Sequence, residues 1–232
     1  MANKNPEPEL PPQGVGGLRS PQGRPARRPR RAGASTSGSA GGFDPLLAFP
    51  PAPPAAPDPA PPPACEIAFG GQPHVMRLLG PADEDRLIAF FNSHTGETIR
   101  QRYGYQIAEM THERARRLVG VDQTRDVALG VFERSTDSEE ILHAVGRYLL
   151  DPTGKTAEVA FVVRENRRGL GICTALLRRL LQIARSRGMS YLAAQVQADN
   201  APMLSIFRHH GARARPIPGA DAMEVFVPTA QP

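Results

Sequence analysis

The sequence predicts an α+β domain: a mixed, mostly antiparallel sheet flanked by helices, behind a disordered N-terminal tail. Three observations carry this expectation. Apolar runs of strand length recur through the second half of the chain, and two of them, DVALGVFE (126–133) and EEILHAVGRYLL (139–150), are separated only by the polar turn RSTDS, which reads as an antiparallel hairpin. A strand–helix–strand crossover follows over 157–197, which brings one parallel pair into the sheet. The composition also shifts at Cys65: 17 of the 25 prolines lie within residues 1–64.

Taken in order, CEIAF (65–69) and HVMRLL (74–79) read as short strands. PADEDRLIAFF (81–91) has acids in its first turn and apolar residues at 87, 88, 90 and 91, which predicts a helix. TGETIRQRYGY (95–105) and THERARRLVG (111–120) also read as helices, the second with Thr111 as N-cap and Gly120 as stop. After the hairpin comes the strand AEVAFVV (157–163). Residues 171–187 then form an amphipathic helix: Ile172, Leu176, Leu177, Leu180, Leu181 and Ala184 share one face, and Arg178, Arg179, Gln182 and Arg185 the other. YLAAQVQ (191–197) is a strand, APMLSIFRHHG (201–211) a short helix and AMEVFVP (222–228) a last strand. The domain therefore runs over 65–228.

Residues 1–64 form a different kind of segment. FPPAPPAAPDPAPPPA (49–64) favours extended polyproline II, and RSPQGRPARRPRR (19–31) concentrates positive charge. Too little apolar surface is present to offset the entropy of ordering, so disorder is expected. The arginines read either as a solvated tail or as a weak contact for a polyanion such as nucleic acid or anionic lipid. Only FDPLLAF (43–49) could dock on a partner.

Composition excludes several classes. No apolar run reaches the roughly 18–20 residues of a membrane-spanning helix. No secretory h-region opens the chain. The two cysteines, Cys65 and Cys173, make no CxxC motif, and the spacing of His and Cys gives no metal site. The expectation is a soluble cytoplasmic protein with no metal.

The stretch ENRRGLGICT (165–174) is the clearest chemical signal. Two glycines stand between an apolar strand and an amphipathic helix, with two arginines in front. A helix N-terminus carries unpaired N–H groups and partial positive charge, and glycines let backbone approach a phosphate closely. Gly169, Leu170, Gly171 and Ile172 would supply donors, and Arg167 and Arg168 charge. The turn could equally be a plain connector with solvated arginines. A dinucleotide fingerprint needs Gly or Ala where Thr174 stands, and a P-loop needs a lysine that is absent.

The order AEVAFVV–RENRRGLG–helix–YLAAQVQADN–short helix resembles the Gcn5-related N-acetyltransferase (GNAT) superfamily. Its acyl-CoA motif, [QR]xxGx[GA], aligns here with Asn166, Arg167, Arg168, Gly169, Leu170 and Gly171, with Asn at the first position. The resemblance is stronger to the acetyltransferase domains of bacterial Pat-type protein lysine acetyltransferases. These carry a stretch like SPETxYxRFF, met here by GETIRQRY (96–103), and an hxxhD segment, met by RLVGVD (117–122). Glu158, Gly169, Gly171, Asp199, Asn200, Met203 and Gly211 fall in place in their longer pattern.

The resemblance implies acetyl-CoA as co-substrate, a GNAT-like sheet, and transfer of acetyl to an amine, either a protein lysine or a small amine. It makes Glu158 the general base, although spacing alone leaves it an ordinary strand-end glutamate. It places Phe161, Val162 and Val163 along the pantetheine arm, with a backbone N–H near Val162 or Val163 facing the oxyanion. It extends the pyrophosphate cradle from Arg167 through Cys173 and Thr174. Asn200 would contact CoA, and it is also suited to cap the helix at 201–210. Many members have a tyrosine seven residues on that protonates the leaving thiolate. Here Phe207 stands there, so the thiolate leaves unassisted or is protonated by water. Cys173 reads as packing rather than as a nucleophile, and His143, His209 and His210 as structural. A weakly catalytic acyl-CoA-binding module is the remaining alternative.

Overall fold

The computed structural model of the chain describes residues 62–103, 109–134, 139–151 and 156–230. The expected tail up to residue 61, with its FDPLLAF segment, lies outside the described residues. So do the hairpin turn after Arg134 and the end of the helix expected to reach residue 105.

The chain opens with β1 (Cys65–Phe69) and β2 (Gln72–Leu78), followed by a 3-10 turn over Pro81–Asp83 and three short helices: α1 (Glu84–Asn92), α2 (Gly96–Tyr103) and α3 (His112–Val119). The hairpin follows as β3 (Val127–Arg134) and β4 (Glu140–Leu150). Then come β5 (Ala157–Val163), α4 (Ile172–Ser186), β6 (Tyr191–Gln197), α5 (Ala201–His209), β7 (Arg213–Pro216) and β8 (Ala222–Pro228). The strands form one eight-stranded sheet in the order β1-β2-β3-β4-β5-β6-β8-β7. All neighbours are antiparallel except β5 and β6.

The expected elements are present, with differences at their ends. The first helix begins as a 3-10 turn with Gly80 as N-cap and Pro81 at its first position, where the missing N–H would have no intrahelical partner. Thr111 caps α3 by accepting from the Arg114 N–H at 3.3 Å, as its position predicts. β7, the edge strand RARP, was not anticipated: it is polar, mostly exposed and lacks alternation, and only its pairing with β8 makes it a strand.

The core is divided by the sheet. On one face α4 buries Leu176, Leu177, Leu180 and Leu181 against Val131, Ala144, Val159 and Val227. Each such leucine contributes about 1.5–3 kcal/mol by leaving water. On the other face α1, α2 and α3 pack Leu87, Phe90, Ile99 and Leu118 on Ala128, Phe132 and Val145. Among the described residues no helix is long and apolar enough to cross a membrane.

β5 and β6 pair at a single position, Glu158 with Ala193, although both strands continue beyond it. Past that point the two strands separate, and the sheet opens into a cleft bounded by their unpaired edges.

Candidate active site

The cleft has a volume of about 710 Å³. It is lined by β5 from Glu158 to Val163, by β6 from Ala194 to Gln197, by the β5–α4 turn and by the start of α5. It thus brings together Glu158, Phe161, Val162, Val163, Arg167, Arg168, Gly169, Gly171, Ile172, Cys173, Thr174 and Asn200. Leu170 is the predicted residue that does not line it. Its side chain is exposed and turned toward Gly70 in the β1–β2 turn.

The glycine turn has the geometry of an anion cradle. Gly169 and Gly171 hold φ of +79° and +82°, the left-handed region that glycine enters without steric cost. A Cβ built on either would meet nothing within 4 Å, so open space lies over the backbone there. Gly171 is the N-cap of α4, no side chain among the described residues caps the helix, and its first turn holds no acid. The Ala175 N–H reaches the Gly171 carbonyl at 3.0 Å. The earlier N–H groups of Ile172, Cys173 and Thr174 are therefore those that a helix start leaves without an intrahelical partner.

The two arginines before the glycines are tethered rather than loose. Arg167 donates to Glu133 Oε2 at 2.6 Å, and Arg168 to Thr98 Oγ1 at 2.7 Å. Glu165 in the same turn accepts from the Thr95 N–H at 3.0 Å and from Thr98 Oγ1 at 2.6 Å, which anchors the turn to the start of α2. Partly buried, it still has its carboxyl held down at about 2, by these hydrogen bonds against the opposing effect of desolvation.

Glu158 has the opposite environment. Val159, Phe161 and Val163 pack on the α4 side and Val162 on the α1–α3 side, so alternation turns Glu158 toward α2. No hydrogen bond to its carboxyl is formed among the described residues. Desolvation raises its pKa above the ordinary carboxylate value, and the Arg102 guanidinium on α2 pulls the other way. Arg102 and Thr98 both line the cleft. Sequence reasoning missed them because a lone Arg and Thr on a polar helix carry no signal until α2 packs over β5.

At the far end, Asn200 Oδ1 accepts from the Met203 N–H at 3.2 Å and so caps α5. Phe207 is buried and its ring centroid lies 6.3 Å from that of Phe161. Burial pushes the Cys173 thiol up to about 12, which suits packing beside Met203 and not nucleophilic attack. His209 and His210 bond helix carbonyls through Nδ1, and neither lines the cleft.

A splayed parallel strand pair with a glycine cradle at its mouth is also a sequence pattern, and the profile of the acetyltransferase (GNAT) family matches residues 88–212. The chain belongs to this acetyltransferase family. The GNAT domain of S. lividans PAT superposes with a TM-score of 0.63 at 22% identity, covering 71% of this chain and 96% of that one. RimL, the ribosomal L7/L12 alpha-N-protein acetyltransferase solved with coenzyme A, gives a TM-score of 0.57 at 14% identity, over 72% of this chain and all of that one. Both likenesses establish the GNAT fold. In sequence, YwnH of Bacillus subtilis (strain 168), provisionally named a phosphinothricin acetyltransferase, is 40% identical over 57 residues. That match spans 25% of this GNAT chain and 35% of YwnH's length.

Proposed function

We propose that this GNAT chain transfers acetyl from acetyl-CoA directly to an amine, with Glu158 as general base. The observation that carries the reading is the placement of one half-buried carboxyl, without a hydrogen-bond partner among the described residues, in the same cleft as the glycine cradle. The residues present fit the co-substrate. The cradle offers backbone donors and open space to a pyrophosphate, and Arg167 and Arg168 stand beside it. The unpaired β5 edge offers peptide groups to the pantetheine arm.

An ammonium acceptor must first lose a proton, and Glu158 takes it directly or through one water. The free amine then attacks the thioester carbonyl carbon. Charge develops on the carbonyl oxygen, where a β5 backbone N–H stabilises it. Arg164 N–H donates to the His143 carbonyl at 2.9 Å across β4, so strand alternation turns the Val163 N–H to the open edge. That favours Val163 over Val162 as the donor. The C–S bond breaks as the carbonyl re-forms, and CoA leaves as thiolate. Phe207 has no proton to give, so the second proton that the acceptor nitrogen sheds on becoming an amide reaches the sulfur through water. Glu158 returns its proton to solvent.

The preferred acceptor is a protein lysine, supported by the Pat-type pattern around GETIRQRY and by the fold shared with S. lividans PAT. The second reading, a small amine, rests on the local sequence identity with YwnH. Incubating the protein with radiolabelled acetyl-CoA and a cell lysate separates them. Label in protein bands supports the lysine reading, label only in small molecules supports the second, and no acceptor-dependent label removes both.

A further inference from the structure

Behind the cofactor turn, three strands each contribute one metal-ligating side chain to a common point. His74 on β2 and Glu133 on β3 are direct cross-strand partners, and His143 comes from β4. The three donor atoms lie within 4.8 Å of one another. His143 Nε2 is 2.8 Å from Glu133 Oε2, and His74 Nε2 is 3.9 Å from the same oxygen. Ligand atoms around a tetrahedral zinc ion are about 3.3 Å apart, so the cluster needs only small shifts to close on an ion.

Two features separate this cluster from a casual meeting of polar groups. The His74 side chain is fully buried, its Nδ1 lies 2.8 Å from the Gln72 carbonyl, and its Nε2 has no hydrogen-bond partner among the described residues. Donation from Nδ1 to that carbonyl leaves a lone pair on Nε2 aimed at the cluster, the tautomer that a ligating imidazole needs. An unpaired buried nitrogen is otherwise a cost. The β3–β4 ladder also shifts register between Val131 and Phe132, so that His143 pairs with no residue of β3. Bulges of this kind re-aim a side chain, and this one sets His143 against Glu133.

We infer that His74, Glu133 and His143 bind one divalent ion of the zinc, cobalt and nickel class. Two imidazoles and one carboxylate suit these ions better than magnesium or calcium. The ion takes the place of the proton between His143 Nε2 and Glu133. The distances from both imidazoles run to Glu133 Oε2, which also accepts from Arg167, so binding turns the carboxylate: Oε1, to which no bond is formed among the described residues, meets the ion while Oε2 keeps the guanidinium. The separation of the three residues along the chain hides the site from any reading of spacing.

The test uses the untagged full chain, stripped with a chelator and titrated with zinc or cobalt chloride in the absence of acetyl-CoA. Its readout is therefore independent of acetyl transfer. One equivalent should bind. The cobalt form should show the visible absorption of a tetrahedral nitrogen–oxygen site, without the near-ultraviolet band of a thiolate ligand. His74→Gln and His143→Gln should each weaken binding at least about tenfold. His112→Gln, at the exposed pair with Glu84, should not. No saturable uptake, a thiolate band, or binding lost only in His112→Gln would overturn the inference. The spectrum of the native chain decides the matter even if a variant fails to fold.

Discussion

Glu158 and Glu165 stand on one strand–turn segment, yet their surroundings push them in opposite directions. Glu165 is surrounded by donors. Glu158 faces α2 with desolvation outweighing the attraction of Arg102. A carboxyl with a raised pKa is a stronger base, so Glu158→Gln should lower turnover by roughly 10²–10⁴-fold with little change in acetyl-CoA affinity. The defect should shrink at high pH, where free amine is plentiful. Steady-state kinetics across pH reads both effects, and wild-type turnover at neutral pH would remove Glu158 from the mechanism. The same substitution should stabilise the fold. A raised folded pKa means that ionisation costs stability, fully above the folded pKa and not at all below the unfolded value near 4.3. Glu158→Gln should therefore melt higher than the native chain at neutral pH, with the gap closing in acid. At this scale the sequence made Glu158 and the two glycines legible, because they belong to a local pattern. Arg102, Thr98 and the His74 cluster were not, because each meets its partners only through long-range packing.

The turn between β5 and α4 is held at both ends. Its glycines set the backbone, and Glu165 ties it to α2. Because Gly171 has positive φ, a β-branched substitution there would mix backbone strain with occlusion of the cradle. Asparagine tolerates the left-handed region and separates the two. Gly171→Asn should weaken acetyl-CoA binding at least about tenfold by calorimetry while the chain stays folded. Gly188→Asn, at φ +77° beyond the C-terminal end of α4 and so a full helix length from the cradle, should leave affinity unchanged. Equal affinities would make the 169–171 turn a connector only. Glu165 gives a second test with the opposite sign to Glu158. Its folded pKa of about 2 lies below the unfolded value, so its contribution is full above pH of about 4.3 and is lost toward pH 2. Glu165→Gln should lower the urea midpoint at neutral pH, and the difference should fade as pH falls through that window. A difference independent of pH would mean that the carboxylate charge is not what anchors the turn. The longer elements were legible here because alternation and the apolar face of α4 are local. β7 was not, because RARP becomes a strand only by pairing with β8.

At the scale of the whole molecule, β1 begins at Cys65, and packing contacts begin slightly before it. Arg179 on α4 donates to the Pro63 carbonyl at 3.1 Å, and Pro62 and Pro63 lie beside Gln182 and Arg187. These contacts are on the outer side of α4, away from the cleft. A chain starting at Pro62 should therefore fold and keep its turnover on a small amine or peptide acceptor. One starting at Cys65 should lose only the modest stability of a solvent-exposed hydrogen bond, about 1 kcal/mol or less. The tail's arginines between 19 and 31 make a separate prediction. If they meet a polyanion, the full chain should retain nucleic acid weakly, with affinity falling steeply as salt rises, and the chain from Pro62 should not. Equal retention by both chains, or by neither, would leave those arginines as a solvated tail. A large loss of turnover on removing residues 1–61 would place part of the active site in the tail. That would overturn the domain boundary, because the general base, the glycine cradle and Asn200 all lie between Glu158 and Phe207.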